Sequence, residues 1–306
     1  MTRARAGCGR AHEVPCVLAR GRHPADKKNT MSEFALELSG ITVTFTSAHA
    51  PGQRYNAVAD TTLRIRAGEF VSVVGPTGCG KSTLLNIAAG LLQPSAGTVT
   101  VFGQPLAGVN RRAGYMFQSD ALMPWRSAIA NVMVGLQYRG VPEDAARLQA
   151  QAWLERVGLA GFGDRYPHQL SGGMRKRTAL AQVLALDPDI ILMDEPFSAL
   201  DVQTRQLMEN EVLELWAAGG GQRARKAVLF ITHDLDEAIA MSDRVVVLSA
   251  GPATRPIGEF EIDLPRPRDV AEVRAHPRFV ELHSRVWAVL RDEVLKGYAQ
   301  QLKKAA

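Results

Sequence analysis

The side chains best suited to chemistry are concentrated in a glycine-rich stretch that ends in Lys-Ser. Residues 75–82, GPTGCGKS, fit the spacing G-x-x-x-x-G-K-[ST]. Glycines at these positions let backbone N–H groups surround phosphate oxygens, while the Lys81 amine can neutralise phosphate charge and the Ser82 hydroxyl can ligate Mg²⁺. The motif therefore predicts a site for the phosphates of a nucleotide, with Mg²⁺ beside them.

The residues on either side of this motif are of the types that it requires. Residues 70–74 form a short apolar run typical of a buried strand, and an apolar helix pattern begins at Lys81. A helix N-terminus at Lys81 adds positive potential to the N–H groups of the loop. The alternative is a strand-to-helix turn that carries Lys-Ser by chance, and the fit of both flanks makes this the weaker interpretation.

A second buried-strand pattern ends in two carboxylates. In DIILMDEP, the apolar residues 190–193 precede Asp194 and Glu195. A strand that delivers a carboxylate at its carboxyl end is suited to hold the Mg²⁺ shell of a nucleotide, which is the role expected of Asp194. Glu195 is then placed to polarise an attacking water.

Two weaker signals support the same site. The apolar run in AVLFITHD delivers His233 at a strand end; a single histidine is usually structural, but ligands bind at the carboxyl ends of strands in open α/β sheets. Ser171-Gly172-Gly173 opens a long helix, whose N-terminal N–H groups suit an anion. Alone, Ser-Gly-Gly before a helix is a common cap.

The remaining patterns predict the elements that must position these residues. FALELSGITVTF (34–45) and TTLRIRAGEF (61–70) alternate as antiparallel strands do, around a loop at 46–55. Phe45 or Tyr55, in or beside that loop, could stack on a nucleotide base, or Phe45 could pack under the sheet. A helix over 81–92, a strand up to Gln118, a helical insert over 119–165 and a helix over 202–216 follow. Phe279, Leu282, Val286 and Leu290 recur at helical spacing in the tail.

Composition limits the class of protein. The chain has 306 residues, of which 46% are hydrophobic and 22% charged, as in ordinary globular proteins, and no apolar run reaches the length of a membrane span. The net charge of +5 resides entirely in residues 1–30, so the rest carries no basic footprint and we expect no nucleic acid as a partner. The basic extension is expected to be disordered rather than a tail that binds anionic lipid or nucleic acid. Three cysteines without a framework fit a reducing cytoplasm.

The motifs together resemble a known family. The ordered set GPTGCGKST, Gln118, LSGG, ILMDE, SALD and His233 resembles the ATP-binding cassette of ABC transporters over about residues 34–262. The resemblance implies an α/β P-loop fold with an antiparallel β subdomain, a helical insert and a helical C-terminal extension. It divides the chain into a basic extension (1–32), the cassette (33–262, with the helical subdomain at about 119–165) and the C-terminal helices (263–306).

The resemblance also implies roles for particular residues. Glu195 resembles the catalytic carboxylate, His233 the switch histidine, and Gln118 the glutamine that contacts Mg²⁺ and the membrane partner. Ser82 and Asp194 complete the implied Mg²⁺ site. The implied ATP-binding residues are Phe45 (with Tyr55 second), Gly75, Pro76, Thr77, Gly78, Cys79, Gly80, Lys81, Ser82, Thr83, Ser171, Gly172, Gly173 and Asp201. The signature departs from the commonest form, because Met174 replaces a polar residue after LSGG.

Peripheral segments resemble a narrower group. LMPW after Gln118, the LSGGM signature, and DLPRPRD with the tail helix resemble cassettes of nitrate, sulfonate and taurine importers. That group implies a homodimer with two ATP at its interface, a membrane permease, a solute-binding protein, and a peripheral location at the cytoplasmic face of the membrane. The alternatives are an ABC ATPase of another transport system or a non-transport ABC ATPase. The sequence does not name the solute.

Overall fold

A six-stranded sheet lies at the centre of the computed structural model, which describes residues 33–46, 54–198, 200–218 and 225–305. Its strands are β3 (Phe70–Val74), β6 (Ala113–Met116), β7 (Ile190–Asp194), β8 (Ala227–Ile231), β9 (Arg244–Leu248) and β10 (Pro256–Glu261). They lie in the order β10-β9-β3-β8-β7-β6, antiparallel between β10 and β9 and parallel elsewhere. The carboxyl ends of the parallel strands therefore share one edge.

A smaller antiparallel sheet precedes and flanks the first. It contains β1 (Phe34–Thr46), β2 (Arg54–Arg66), β4 (Ala96–Val101) and β5 (Gln104–Pro105), in the order β2-β1-β4-β5. The predicted antiparallel pairing of the first two strands is confirmed. The prediction that Arg54 and Tyr55 belong to the loop is wrong, because cross-strand pairing with Thr46 and Phe45 extends the strand pair to these residues. The rest of that loop, 47–53, lies outside the described residues.

Eight α-helices are described. They are α1 (Lys81–Ala88), α2 (Ala128–Tyr138), α3 (Glu143–Arg156), α4 (Gly172–Ala185), α5 (Val202–Ala218), α6 (Leu235–Met241), α7 (Val270–Val273) and α8 (Pro277–Ala305). Helix α1 ends earlier than the predicted residue 92, because Gly90 turns the chain with a φ of 70°. A Cβ at Gly90 would come within 2.0 Å of the Gly108 carbonyl oxygen, so only glycine fits there.

The two faces of the central sheet are both buried, which explains the continuous apolar runs of β3, β7 and β8. Phe70 and Phe230 point to one face and pack among helices α2 to α6 and α8. Val71 and Leu229 point to the other face, where α1 and the antiparallel sheet cover them. This layering of helices and sheets confirms the predicted α/β class.

Helix α8 carries the amphipathic pattern of the tail into the core. Its apolar residues are buried on the same face of the central sheet as Phe70 and Phe230, as their spacing predicts. These residues are Phe279, Leu282, Val286 and Leu290. Within the described part of the chain, no helix has both the length and the apolar character needed to cross a membrane. The basic extension over 1–32 falls outside the described residues.

Candidate functional site

The glycine-rich loop joins β3 to α1 at the carboxyl edge of the central sheet. Gly78 and Gly80 have φ values of 75° and 108°, a region that side chains disfavour, so glycine is needed at both. The buried Lys81 donates from Nζ to the carbonyl oxygens of Gly75 (2.9 Å) and Pro76 (3.2 Å). The amine thus lies inside the loop, where phosphate oxygens can replace these carbonyls as its partners.

Helix α1 begins inside this loop without a capping side chain among the described residues. Its first N–H groups are therefore available to an anion. Thr77 is exposed beside them, whereas Cys79 is buried, and burial raises the pKa of its thiol. The local structure thus presents backbone donors rather than the cysteine.

Ser82 and Asp194 place two side-chain oxygens, both suited to ligate a metal ion, next to the loop. The Ser82 hydroxyl donates to Asp194 Oδ1 at 3.0 Å, which joins the start of α1 to the end of β7. Burial raises the pKa of Asp194 even though the Ser82 hydrogen bond acts in the opposite direction. Tyr115 lies close to Asp194 and donates to Asn86 Oδ1 at 3.1 Å. Sequence reasoning missed Tyr115, since one tyrosine in a strand carries no signal of its own.

These oxygens fit Mg²⁺ as far as protein ligands are concerned. Mg²⁺ prefers hard oxygen ligands and in nucleotide sites takes one or two from protein and the rest from phosphates and water. A hydroxyl and a buried carboxylate at 3.0 Å meet that need. No cluster of three or more His, Cys, Asp or Glu suited to a metal occurs among the described residues, and such a site does not require one.

Of the three residues predicted to be catalytic, two lie close to the same carboxylate oxygen of the third. Glu195 Oε2 lies 3.0 Å from His233 Nδ1 and 3.4 Å from Gln118 Nε2. They come from the ends of β7, β8 and β6, which are neighbours in the sheet. Glu195 is only partly shielded from solvent, so a water can reach its carboxylate.

The Ser171–Gly173 stretch lies at the start of α4. Ser171 caps the helix by accepting a hydrogen bond from the Met174 N–H. A Cβ at Gly173 would come within 2.8 Å of the Thr204 methyl group, so α4 begins against the first turn of α5. Asp201 caps α5 through the Thr204 N–H at 3.0 Å. Both predicted binding segments therefore lie at helix N-termini, and these come close together at Gly173 and Thr204.

The two candidate base-stacking aromatics occupy one register position. Phe45 and Tyr55 pair directly across β1 and β2, so their side chains share a face of the sheet. Both are about 40% exposed, at 42% and 41%, and Phe45 is not packed under the sheet. Tyr55 lines a groove of about 140 Å³ with Pro76 and Gly78. Tyr55 therefore borders the phosphate loop, and Phe45 lies beside Tyr55 on the same face of the sheet.

The segment after Gln118 is held by contacts that the sequence did not reveal. The buried Lys176 donates to the Gln118 carbonyl oxygen and pairs with Asp120 at 3.3 Å, and Arg175 bonds Asp120 at 2.8 Å. These charges lie on α4, far away in sequence from Gln118. No local pattern reports such a contact.

Trp125 lies in the turn that follows. Asn131 is fully buried and binds this turn by accepting from the Met123 N–H and donating to the carbonyls of Met123 and Arg126. The turn leaves the Trp125 side chain 73% exposed. Its large apolar surface therefore faces outward beside the segment that follows Gln118.

Comparison with known proteins shows the family to which the chain belongs. The family model "ABC transporter" matches residues 58–198. The ABC transporter ATP-binding protein MJ0412 of Methanocaldococcus jannaschii is 44% identical over 272 residues, 89% of this chain and 97% of that protein. The taurine import ATP-binding protein TauB of Pseudomonas entomophila is 39% identical over 79% of this chain and 93% of its own length.

A solved structure of an ATP-binding cassette is similar to this chain in both fold and sequence. The dimeric structure of the ATP-binding cassette MJ0796, bound to ADP and Pi in a post-hydrolysis state, matches with a TM-score of 0.65 and 30% identity, over 75% of this chain and all of that one. The chain belongs to the ATP-binding subunits of the ABC transporter family. It is an ATP-binding protein and an ATP hydrolase that acts in transport.

Proposed function

We propose that this chain hydrolyses ATP at the carboxyl edge of the central sheet and thereby powers a separate membrane permease. The convergence of Gln118 and His233 on the Glu195 carboxylate, beside a phosphate loop, is the observation that carries this proposal. The residues 75–83 surround the phosphates, and the Lys81 amine leaves the Gly75 and Pro76 carbonyls for phosphate oxygens. Phe45, or Tyr55 opposite it, stacks on the base.

Glu195 is the general base of the reaction. Its carboxylate takes a proton from a water, the oxygen of that water bonds to the γ-phosphorus, and the bond to the leaving ADP oxygen breaks. His233 and Gln118 hold the carboxylate in place through Oε2. Ser82, Asp194 and Gln118 would hold Mg²⁺, which would neutralise charge on the phosphate oxygens.

The complete site is shared between two copies of the chain. One chain carries one phosphate loop and one Ser171–Gly173 stretch, and a helix N-terminus of that kind suits the γ-phosphate of ATP held by the partner. Asp201 lies beside this stretch through Thr204. A two-fold dimer with two ATP at its interface uses every one of these groups, and the solved MJ0796 cassette is dimeric.

The permease docks near Gln118 and Trp125, at the cytoplasmic face of the membrane. The exposed Trp125 ring supports this placement, since large aromatic residues are enriched at the centres of interfaces. The TauB relatives, which are named for taurine import, support a small solute of the nitrate, sulfonate or taurine class. Delivery of that solute by a solute-binding protein is part of the same proposal. The identity of that solute is decided by the permease and the binding protein.

An uptake assay tests this proposal. Cells lacking the chain should lose uptake of taurine or a related sulfonate, or of nitrate, and wild-type chain should restore it. Trp125→Ala should bind ATP and fold normally but fail to restore uptake. Tyr138→Ala is a matched control, because Tyr138 is an exposed aromatic in the same insert. Full uptake with Trp125→Ala would refute the docking site, and unchanged uptake of all these solutes in the deletion strain would refute the solute class.

A further inference from the structure

The two loops that flank the reacting edge are joined by one arginine. Arg205, on the first turn of α5, donates from Nη2 to the Leu200 carbonyl oxygen at 3.2 Å. From Nη1 it donates to Asp234 Oδ2, also at 3.2 Å. Leu200 immediately precedes Asp201, and Asp234 immediately follows His233. One planar guanidinium thus connects the loop before α5 to the loop that carries the histidine.

Asp234 is hydrogen-bonded to the backbone of its own turn, so a shift of its carboxylate would move that backbone. Its Oδ1 caps α6 by accepting from the N–H groups of Asp236 (2.9 Å) and Glu237 (3.2 Å). Its own N–H donates to Thr232 Oγ1 at 3.0 Å. Through Asp234, Arg205 therefore stabilises the position of the whole turn from Thr232 to Glu237. His233 lies within this turn.

Charge makes this contact hard to replace. Glu237 is buried and lies 3.7 Å from Arg205 Nε, so the arginine faces two carboxyl groups of the same turn. The Arg205 and Asp234 side chains are partly exposed, at 24% and 30%. A neutral side chain at 205 would leave the Asp234 carboxylate without its cation and without the planar fork of donors that only arginine provides.

Among the described residues, one hydrogen bond holds the His233 ring. The His233 side chain is half-exposed, and its Nδ1 lies 3.0 Å from Glu195 Oε2. A displacement of this turn would lengthen that bond without touching the phosphate loop. We propose that Arg205 is a positioning residue, which holds the His233 turn against the Asp201 loop so that His233 stays in register with Glu195. This rests on the roles given above to His233 and Glu195.

The test is the effect of Arg205→Gln on turnover and on ATP binding separately. Misplacing a catalytic group by about 1 Å costs on the order of 10²-fold in rate, so kcat should fall by about 10- to 100-fold. The KM for ATP and the binding of a fluorescent ATP analogue should stay within about twofold, because Arg205 does not contact the phosphate loop. Arg177→Gln is the matched control. Arg177 pairs with Glu211 at 3.7 Å, is equally shielded, and joins α4 to α5 away from both loops.

Two further variants make the result decisive. Asp234→Asn keeps an oxygen to cap α6 but loses the charge that Arg205 binds, so the double variant should have about the same kcat as either single variant. If Arg205→Gln fails to fold, Arg205→Lys decides the matter, since a lysine keeps the charge but its single amine cannot bridge Leu200 and Asp234 in the same way. Its melting temperature should be close to that of wild type and its kcat reduced.

The outcomes separate this inference from the proposed mechanism. If His233→Ala keeps wild-type turnover, the role of the histidine is wrong and the inference falls with it. If His233→Ala is inactive but Arg205→Gln has the kcat of wild type or of Arg177→Gln, the positioning role alone is wrong. Additive losses in the Arg205→Gln/Asp234→Asn pair would equally overturn it.

Discussion

Glu195 has a backbone φ of 43°, in the left-handed region that side chains disfavour. The strain is compensated by its surroundings: the Glu195 N–H donates to the Ile231 carbonyl at 2.9 Å, and Ser198 bonds the Glu195 carbonyl at 3.0 Å. Backbone strain of this kind costs on the order of 1–3 kcal/mol and persists where neighbouring structure over-determines it. The conformation turns the carboxylate toward the His233 loop.

Cys79 is a cysteine whose environment makes its thiol unreactive. Burial raises the pKa of its thiol, so the nucleophilic thiolate is scarce at neutral pH. In a variant that lacks Cys8 and Cys16, a thiol reagent at pH 7 should label Cys79 far more slowly than a free cysteine, and the rate should keep rising above pH ~8.5. Urea should abolish the protection. Labelling at the free-thiol rate under native conditions would contradict this account.

Glu209 makes stability depend on pH. Its carboxyl is fully buried, and burial together with the Glu237 charge raises its pKa to about 8 from 4.5. Between these values the folded protein keeps a proton that the unfolded chain has released. The contribution of Glu209 to the free energy of unfolding therefore falls as the pH rises from about 4.5 to about 8.

Glu209→Gln removes this titration. Urea unfolding should show the variant gaining stability over wild type as the pH rises from 5 to 8, by an amount on the order of a few kcal/mol. Glu143→Gln, at an exposed position of α3, is the control and should show no such gain. A flat difference for Glu209→Gln as well would mean that Glu209 is ionised in the folded state.

At the scale of elements, helix α8 is joined to the core through one face. Leu282 is fully buried on the face of the central sheet that also buries Phe70, whereas Leu295 on the same helix is 60% exposed. Leu282→Ala should lower the free energy of unfolding by about 2–5 kcal/mol through lost burial and a residual cavity. Leu295→Ala should change it by less than about 0.5 kcal/mol. Equal effects of the two substitutions, measured by urea unfolding, would show that α8 does not pack as described.

Strand ends were the predictable part of the site. The buried runs before Gly75, Asp194 and His233 are apolar because both faces of the parallel sheet are covered, and parallel strands bring their carboxyl ends to one edge. The start of β2 was not predictable, since Arg54 and Tyr55 are polar and become strand only by pairing with β1. The fold class was implied by the resemblance of the ordered motifs to a known family, and the strand limits needed tertiary contacts.

The supporting contacts of the site could not be predicted at all. Lys176 binds the Gln118 carbonyl across 58 positions of sequence, and Arg205 binds Asp234 across 29. Long, flexible side chains make these contacts, and neither their type nor their spacing differs from that of solvated surface charges. Only the packing of α4 and α5 against the sheet brings them to the loops.

At the scale of the whole molecule, one chain holds separate parts of an ATP site. The phosphate loop and the Glu195 carboxylate lie at the sheet edge, while Ser171 caps a helix that begins against α5. In the proposed mechanism, ATP that joins the phosphate loop of one copy to the Ser171 helix of another favours the closed dimer. Loss of the γ-phosphate would then weaken that connection, and the resulting shift in population would do work on the proposed permease.

The most direct measurement is the ATP turnover of Glu195→Gln, together with the molar mass of that variant in ATP. Glutamine keeps the shape of the side chain but cannot accept the proton from water. Steady-state turnover should therefore fall by about 10²–10⁴-fold while ATP binding persists. Light scattering should show the variant as a dimer in ATP and a monomer in ADP. Near-wild-type turnover would remove Glu195 from the mechanism, and a monomer saturated with ATP would contradict the shared site.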